Sequence, residues 1–154
     1  MSRAEWSGAT QKLYPQRWRI WIVAVLAHTI GMFHRAAMAP MADRLMADFS
    51  VSALAFGSLG AVYFYIYAAM QLPSGVLADT LGPRKTITAG LLLSTMGSII
   101  MGAAPSFGVA YVGRLVVSFG ASVVWLSVIK VIMGWFRTRD LATMTGLSGS
   151  LANL

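Results

Sequence analysis

The stretch "GVLADTLGPRK", residues Gly75–Lys85, is a short charged turn between two long segments that carry no charge at all. No Asp, Glu, Lys or Arg occurs from Phe49 to Ala78, and none occurs from Thr86 to Gly113. A membrane-spanning helix needs about 20 mostly apolar residues. Both segments are long enough, so the sequence predicts an integral membrane protein in which two apolar helices meet at this turn.

The composition of the whole chain agrees with a membrane protein. Of its 154 residues, 57% are hydrophobic and 11% are charged, whereas soluble domains carry roughly 25% charged residues. Apolar stretches recur along the entire chain, which is unlike a secretory signal followed by a soluble domain. The chain has no cysteine, which excludes disulfides and thiol chemistry.

The net charge of +7 is distributed in a pattern that favours a lipid bilayer over nucleic acid as the partner. The turn near Asp48 is mixed in charge, and the turn near Pro105 has no charge. Basic residues recur before the first apolar stretch and in the second and fourth turns: Arg3, Lys12, Arg17 and Arg19, then Arg84 and Lys85, then Arg137 and Arg139. Basic residues at every other turn are typical of the cytoplasmic side. We therefore expect a cytoplasmic N-terminus and, for the location, a bacterial inner (plasma) membrane.

The order of apolar stretches predicts an all-α membrane protein, because lipid cannot satisfy an open backbone. Residues 1–17 are expected to form a cytoplasmic tail, and the transmembrane part to occupy residues 18–154. Four complete transmembrane helices are expected at about residues 18–45, 52–78, 83–104 and 107–136. A fifth begins near Asp140, and the remaining length is too short to cross a bilayer. We therefore expect the chain to be the front part of a longer protein.

Asp79 in the charged turn lies at the C-terminal end of the second predicted helix. The helix macrodipole disfavours an acid there by a few tenths to about 1 kcal/mol. We expect its charge to be compensated by Arg84, by Lys85 or by the N-terminus of another helix.

The other residues of the turn suit a tight hairpin. Gly82 can adopt the left-handed conformation that ends many helices, and Pro83 suits the first position of the next helix. Gly75 lies one turn before Asp79 and would let a neighbouring helix approach closely. An ordinary basic cytoplasmic loop accounts for the same residues, so physical chemistry alone leaves both interpretations open.

In the spacing of Gly75, Asp79, Gly82, Arg84 and Lys85, the turn resembles the signature loop between the second and third helices of the major facilitator superfamily. Two positions that usually hold arginine in the family hold threonine and proline here. The resemblance implies twelve helices in two six-helix halves, of which this chain would supply the first part and lack the second half. It also implies that the loop acts as a conformational latch between the halves.

Two further segments extend the resemblance. The stretch "GRLVVSFGASVVWLSVIKVIMGWFRTRD", residues 113–140, resembles the family's fourth helix, with Arg114 embedded in the membrane. The stretch "FHRAAMAP", Phe33–Pro40, resembles the first helix of members that carry organic anions, in which an aromatic residue precedes an arginine, here Arg35. The resemblance therefore implies a transporter of a small, anionic solute.

Polar residues within the predicted helices are candidates for substrate binding, because a charge at mid-membrane costs about 2.5–3.5 kcal/mol. Arg35 is near mid-depth, and no acid lies within a turn or two of it. Other polar residues share helix faces at helical spacing: His28 on the first helix, Tyr63, Tyr67 and Gln71 on the second, and Arg114, Ser118 and Ser122 on the fourth. These faces could converge on one aqueous cavity.

Each candidate also has a structural interpretation. Tyrosine and serine stripes can pack helices through local hydrogen bonds, His28 can be a hydrogen-bonded interior residue, and Arg35 can pair with an acid of the missing half. Lys130 is expected to extend its amine to the cytoplasmic interface. Gly90, Ser94 and Ser98 are expected to allow close packing of the third helix.

The sequence predicts a secondary active transporter, a symporter or antiporter, that works by alternating access. The alternative is a non-transporting membrane scaffold or assembly protein. No HExxH, GxSxG or phosphate-loop motif occurs, and no acid lies deep in a predicted span. We therefore expect no enzymatic activity, no catalytic residue, no metal site and no cofactor.

Overall fold

A computed structural model describes residues 14–153, and most of the predicted tail lies outside these residues. The described part of the chain contains helices and turns and no strand, which confirms the all-α prediction there. Its α-helices are α1 Tyr14–Ala36, α2 Ala42–Phe49, α3 Ala53–Ala69, α4 Gln71–Thr80, α5 Pro83–Gly102, α6 Phe107–Trp135 and α7 Leu141–Ala152, with a 3₁₀ turn at Thr138–Asp140.

Length and hydropathy identify fewer spans than the sequence predicted. Within residues 14–153, α5 and α6 are long and apolar enough to cross a membrane. Helices α2 and α3, which are bent by 120° relative to each other, would form a third span if the pair is counted as a single span. Helix α3 has 17 residues by itself. The later boundaries agree with the predictions to within about two residues, since α5 begins at Pro83 and α6 at Phe107.

The first apolar stretch is two helices and not the single helix predicted at residues 18–45. Helix α1 begins at Tyr14 and ends at Ala36, and a turn at residues 37–41 precedes α2. Pro40 explains the break, because it has no N–H to donate to the Ala36 carbonyl and disfavours a helical conformation at the residue before it.

The second apolar stretch is likewise interrupted. Its helix begins as predicted after Ser52, whose hydroxyl accepts a hydrogen bond from the Ala55 N–H at 3.2 Å. The helix breaks at Met70 and resumes as α4. Pro73 cannot donate to the Ala69 carbonyl, and its ring crowds that carbonyl. The predicted helix at 52–78 is therefore interrupted by its own proline.

Helix α6 is the central element, and α1, α3, α4, α5 and α7 all contact it. Its buried residues Val124, Val128 and Ile132 form the main core with residues of α1, among them Trp21. The indole N–H of Trp21 donates to the hydroxyl of Ser148 at 2.8 Å. This bond joins α1 to α7.

Helices α5 and α6 are in backbone contact through two pairs of glycines. A Cβ added at Gly90 would lie 2.7 Å from the Gly120 carbonyl, and one added at Gly97 would lie 2.7 Å from the Gly113 carbonyl. Between these pairs the buried Ser94 hydroxyl donates to the Val117 carbonyl at 3.4 Å. The predicted close packing of the third helix is therefore confirmed at Gly90 and Ser94.

We expect Gly97→Ala to destabilise the chain by roughly 1–3 kcal/mol, because the new methyl group would overlap backbone atoms of α6 that cannot move independently. Heat-induced unfolding in detergent, followed by circular dichroism, measures the change. The matched control is Gly102→Ala on the same helix, where a Cβ would meet no atom within 4 Å. Equal midpoints for the two variants would contradict the backbone contact.

Candidate functional site

Arg114 of α6 is buried, with 3% of its surface exposed, and it joins three helices. Its Nε donates to the Leu59 carbonyl at 3.3 Å, and its Nη1 donates to the His34 carbonyl at 2.9 Å. Its Cζ lies 4.7 Å from the centroid of the Tyr63 ring. The His34 carbonyl is in the last turn of α1, where carbonyls lack a helical partner, so Arg114 completes the end of that helix.

Arg114 and Arg35 line the same cavity, which has a volume of about 600 Å³. Arg35 is in the last turn of α1, and its Cζ lies 5.0 Å from the centroid of the Phe64 ring. No Asp or Glu among residues 14–153 lines the cavity. Within residues 14–153, neither arginine forms an ion pair. Two guanidinium groups without a carboxylate form a site suited to an oxyanion, because each offers a planar fork of donors.

The cavity wall on α3 consists of Phe56, Gly60 and Phe64. These residues recur at steps of four, which places them on one face of the helix. The sequence predicts the neighbouring face, which carries Tyr63, as the polar face of this helix. The four-residue spacing of Phe56, Gly60 and Phe64 is the signal that indicates the cavity-lining face.

The predicted tyrosine stripe lies beside the cavity and does not line it. Tyr63 is buried and contacts Arg114 through its ring, and the Tyr67 ring stacks on it with centroids 6.1 Å apart. The Gln71 amide donates to the Tyr67 carbonyl at 3.3 Å. Of this stripe, the structure therefore brings only Tyr63 into contact with a cavity residue.

The other polar candidates make local or packing contacts. The Ser118 hydroxyl donates to the Arg114 carbonyl and the Ser122 hydroxyl to the Phe119 carbonyl, each at 2.7 Å. His28 is buried with its ring centroid 4.5 Å from that of Trp125, and it does not line the cavity. The predicted polar faces therefore meet at Arg35 and Arg114, and the serine stripe has the structural role left open above.

A second cavity of about 620 Å³ also reaches Arg114. His34, Arg44, Asp48 and Ser98 line it, and His34 Nδ1 lies 3.3 Å from the Ser98 hydroxyl. Arg114 is therefore shared by two cavities, one lined by Arg35 and the other by Arg44 and Asp48 of α2.

Asp79 in the charged turn forms an ion pair with Lys130 of α6. Lys130 Nζ also donates to the Gly75 carbonyl at 2.8 Å. We expected Arg84 or Lys85 to compensate the charge of Asp79, and this prediction is wrong, because within residues 14–153 Asp79 pairs with Lys130. Gly75 and Asp79 are one turn apart on the face of α4 directed at α6, whereas Arg84 and Lys85 follow the turn and are exposed on α5.

The glycines of this turn behave differently from each other. Gly82 has φ +81° and ψ 153°, so its φ is positive, but the left-handed helical conformation predicted for it is wrong because ψ is extended. Helix α5 begins at Pro83 as predicted. A Cβ at Gly75 would meet no atom within 4 Å. The expected close approach at Gly75 is therefore wrong, and Gly75 contributes its carbonyl to Lys130 instead.

Apolar helices around a buried arginine and an acid-free cavity define an integral membrane protein with a polar site inside it. Residues 21–154 match the Major Facilitator Superfamily. The chain therefore belongs to this superfamily, whose members are transporters and not enzymes.

Curated relatives are similar over most of this chain. The probable galactarate/D-glucarate transporter GarP of Escherichia coli K12 is 21% identical over 87% of this chain and 32% of its own length. The nitrate/nitrite transporter NrtP of a Picosynechococcus strain is 28% identical over 74% of this chain and 21% of its own. The probable sulfoacetate transporter SauU of Cupriavidus necator is 24% identical over 86% of this chain and 31% of its own length.

The chain spans about a third or less of the length of these relatives. No solved structure matches it significantly.

Proposed function

We propose that the chain is the first part of a secondary active transporter that carries a small anionic solute by alternating access. The observation that carries this proposal is the pair of arginines, Arg35 and Arg114, in one cavity without a carboxylate. The relatives are named as a probable galactarate/D-glucarate transporter, a nitrate/nitrite transporter and a probable sulfoacetate transporter, and all of these solutes are anions. An organic anion with a carboxylate or sulfonate is the proposed substrate class.

In the proposed architecture, the first span consists of α1 and α2, and the second consists of α3 and α4. Helices α5 and α6 are the third and fourth spans, and α7 begins a fifth. The breaks at Pro40 and Pro73 fall inside spans, which membrane helices tolerate where neighbouring groups satisfy the freed backbone. Arg114 does this for the end of α1 through the His34 carbonyl. The spans would belong to the first six-helix half of a twelve-helix protein.

The proposed orientation has the N-terminus and the turn at Gly82 on the cytoplasmic side of a bacterial inner membrane. Because the chain has no cysteine, single cysteines at Ser2, Ser50, Thr80 and Ser106 report the topology directly. A membrane-impermeant maleimide added to intact cells should label the variants at Ser50 and Ser106 and leave the other two unlabelled. The reverse pattern would invert the topology.

In the proposed site, Arg35 and Arg114 bind the anion, and Phe64 and Tyr63 hold their guanidinium groups by cation–π contact. Tyr67 supports the site through its ring contact with Tyr63, and Gln71 through its hydrogen bond to the Tyr67 carbonyl, whereas His28 packs on Trp125 outside the cavity. Arg114 has the more rigid geometry, because two of its five donors are already bound to carbonyls. Within residues 14–153, Arg35 donates to no backbone carbonyl, and it supplies the adaptable contact.

We further propose that the Asp79–Lys130 ion pair, with Gly75, Gly82, Arg84 and Lys85, forms a latch that stabilises one state of the transport cycle. The pair joins the end of α4 to α6 and lies away from the anion cavity. It can therefore change the balance between two conformations without contributing to substrate affinity.

Flux measurements separate the transporter from the scaffold alternative. Liposomes with the 154-residue chain alone should show no solute-specific flux, because alternating access needs two halves that move against each other. Liposomes with the complete twelve-helix protein should accumulate a labelled organic anion. Anion flux by the chain alone would refute the proposed architecture, and no flux of any solute by the complete protein would favour a scaffold.

A further inference from the structure

A second basic site lies outside the anion cavity, in a groove of about 400 Å³ between α1, α5 and α6. Arg19 and Arg84 line it, and no Asp or Glu of the described part of the chain does. Both arginine side chains are exposed. Within residues 14–153, neither forms an ion pair with a carboxylate. The groove therefore holds two positive charges that the described part of the chain does not neutralise.

The rest of the groove is mainly apolar. Ile20, Val23 and Ala24 follow Arg19 along α1, Ile87 follows Arg84 along α5, and Val131 closes the groove from α6. Because both helices begin at this end of the bundle, the two arginines lie at one end of the groove and the apolar side chains continue from them. Val23 is 66% exposed, so the apolar part opens to the outside of the helix bundle.

This distribution of charge matches an amphiphile better than a small ion. A free phosphate would use the arginines and leave the apolar wall exposed, whereas an uncharged acyl chain would leave the arginines without a counter-charge. Basic residues next to a membrane surface attract anionic lipids with about 1 kcal/mol each. We propose that this groove binds an anionic phospholipid, with its phosphate at Arg19 and Arg84 and an acyl chain along Val23 and Ile87.

The test is photo-crosslinking in nanodiscs that contain the 154-residue chain and a trace of phospholipid with a diazirine in one acyl chain. The labelled lipid is either phosphatidylglycerol or phosphatidylcholine, and peptide mass spectrometry maps the attachment sites. We expect labelled phosphatidylglycerol to attach mainly to residues 20–24 and 87–88, with a yield several times that of phosphatidylcholine. Added inorganic phosphate should not compete, because it lacks the apolar part.

Substitutions locate the charge. Arg19→Gln and Arg84→Gln should each lower the phosphatidylglycerol yield about fivefold, which corresponds to about 1 kcal/mol, and the corresponding lysine variants should keep most of it. Lys85→Gln is the matched control, since Lys85 is adjacent to Arg84 and does not line the groove. Circular dichroism confirms that each variant is folded.

Three outcomes would overturn the proposal. They are equal yields for the two lipids, equal loss in Arg84→Gln and Lys85→Gln, and displacement of the lipid by inorganic phosphate, which would make the groove a simple anion site. The test does not depend on transport, so its result is independent of the proposed function.

Discussion

Arg35→Ala should lower the affinity of the full-length transporter for its organic anion by roughly a hundredfold or more. A hydrogen bond to a charged group contributes about 1.5–3 kcal/mol, and a guanidinium makes two such contacts with one carboxylate. Arg35→Lys should retain partial affinity, because lysine keeps the charge and loses the planar fork. Arg44→Ala is the matched control, since Arg44 lines the second cavity and not the first.

Calorimetric titration with carboxylates, sulfonates and nitrate measures this effect, and thermal unfolding of the same variants separates binding from folding. Arg114→Ala should lower both affinity and stability, because Arg114 also holds the carbonyls of Leu59 and His34. Within residues 14–153, Arg35 holds no backbone carbonyl and contacts the Phe64 ring, so its substitution should affect affinity much more than stability. If neutral or cationic solutes bind and organic anions neither bind nor compete, Arg35 is structural and the anion site is wrong.

Lys130→Met should lower the transport rate by about tenfold and change substrate affinity by less than twofold. The substitution removes the ion pair with Asp79 and the hydrogen bond to the Gly75 carbonyl. Asp79→Asn removes only the ion pair and should have the smaller effect, about fivefold. The pair is partly exposed, with 24% and 74% of the two side chains accessible, so it contributes little to overall stability. Its effect is expected in the balance of conformations.

Transport rate and equilibrium affinity are measured on the same reconstituted variants. The charge swap Asp79→Lys with Lys130→Asp should recover much of the rate, because it restores the ion pair. Lys85→Met should have a smaller effect than Lys130→Met, since Lys85 is exposed and is not the partner of Asp79. A large loss of affinity with a normal rate would show that the pair belongs to the substrate site.

The sequence was sufficient for features that depend on neighbouring residues. Pro83 and Phe107 mark the starts of α5 and α6 because proline and turn residues act locally. Pro40 and Pro73 also act locally, but the single helices predicted at residues 18–45 and 52–78 follow from hydropathy, which a missing N–H group does not lower. An apolar segment can contain a break without any loss of hydropathy, so the two kinds of signal must be considered separately.

Features that depend on packing between helices could not be predicted in the same way. The ion pair of Asp79 with Lys130 requires the relative position of α4 and α6, which the periodicity of either helix does not determine. The meeting of Arg35 and Arg114 was expected only as one possible convergence of polar faces. Phe64 was not among the predicted site residues, because its ring is apolar and the polar tyrosines of α3 lie on the neighbouring face.

The glycine contacts between α5 and α6 have a consequence for motion. Because Gly90, Gly97, Gly113 and Gly120 bring the two backbones together without intervening side chains, the two helices should move as one rigid body. Arg114 belongs to this body, whereas Arg35 is on the last turn of α1, next to the turn at residues 37–41. The bond from Arg114 to the His34 carbonyl ties the end of α1 to this body. We infer that Arg35 and Arg114 are carried together when the two halves of the transporter move against each other.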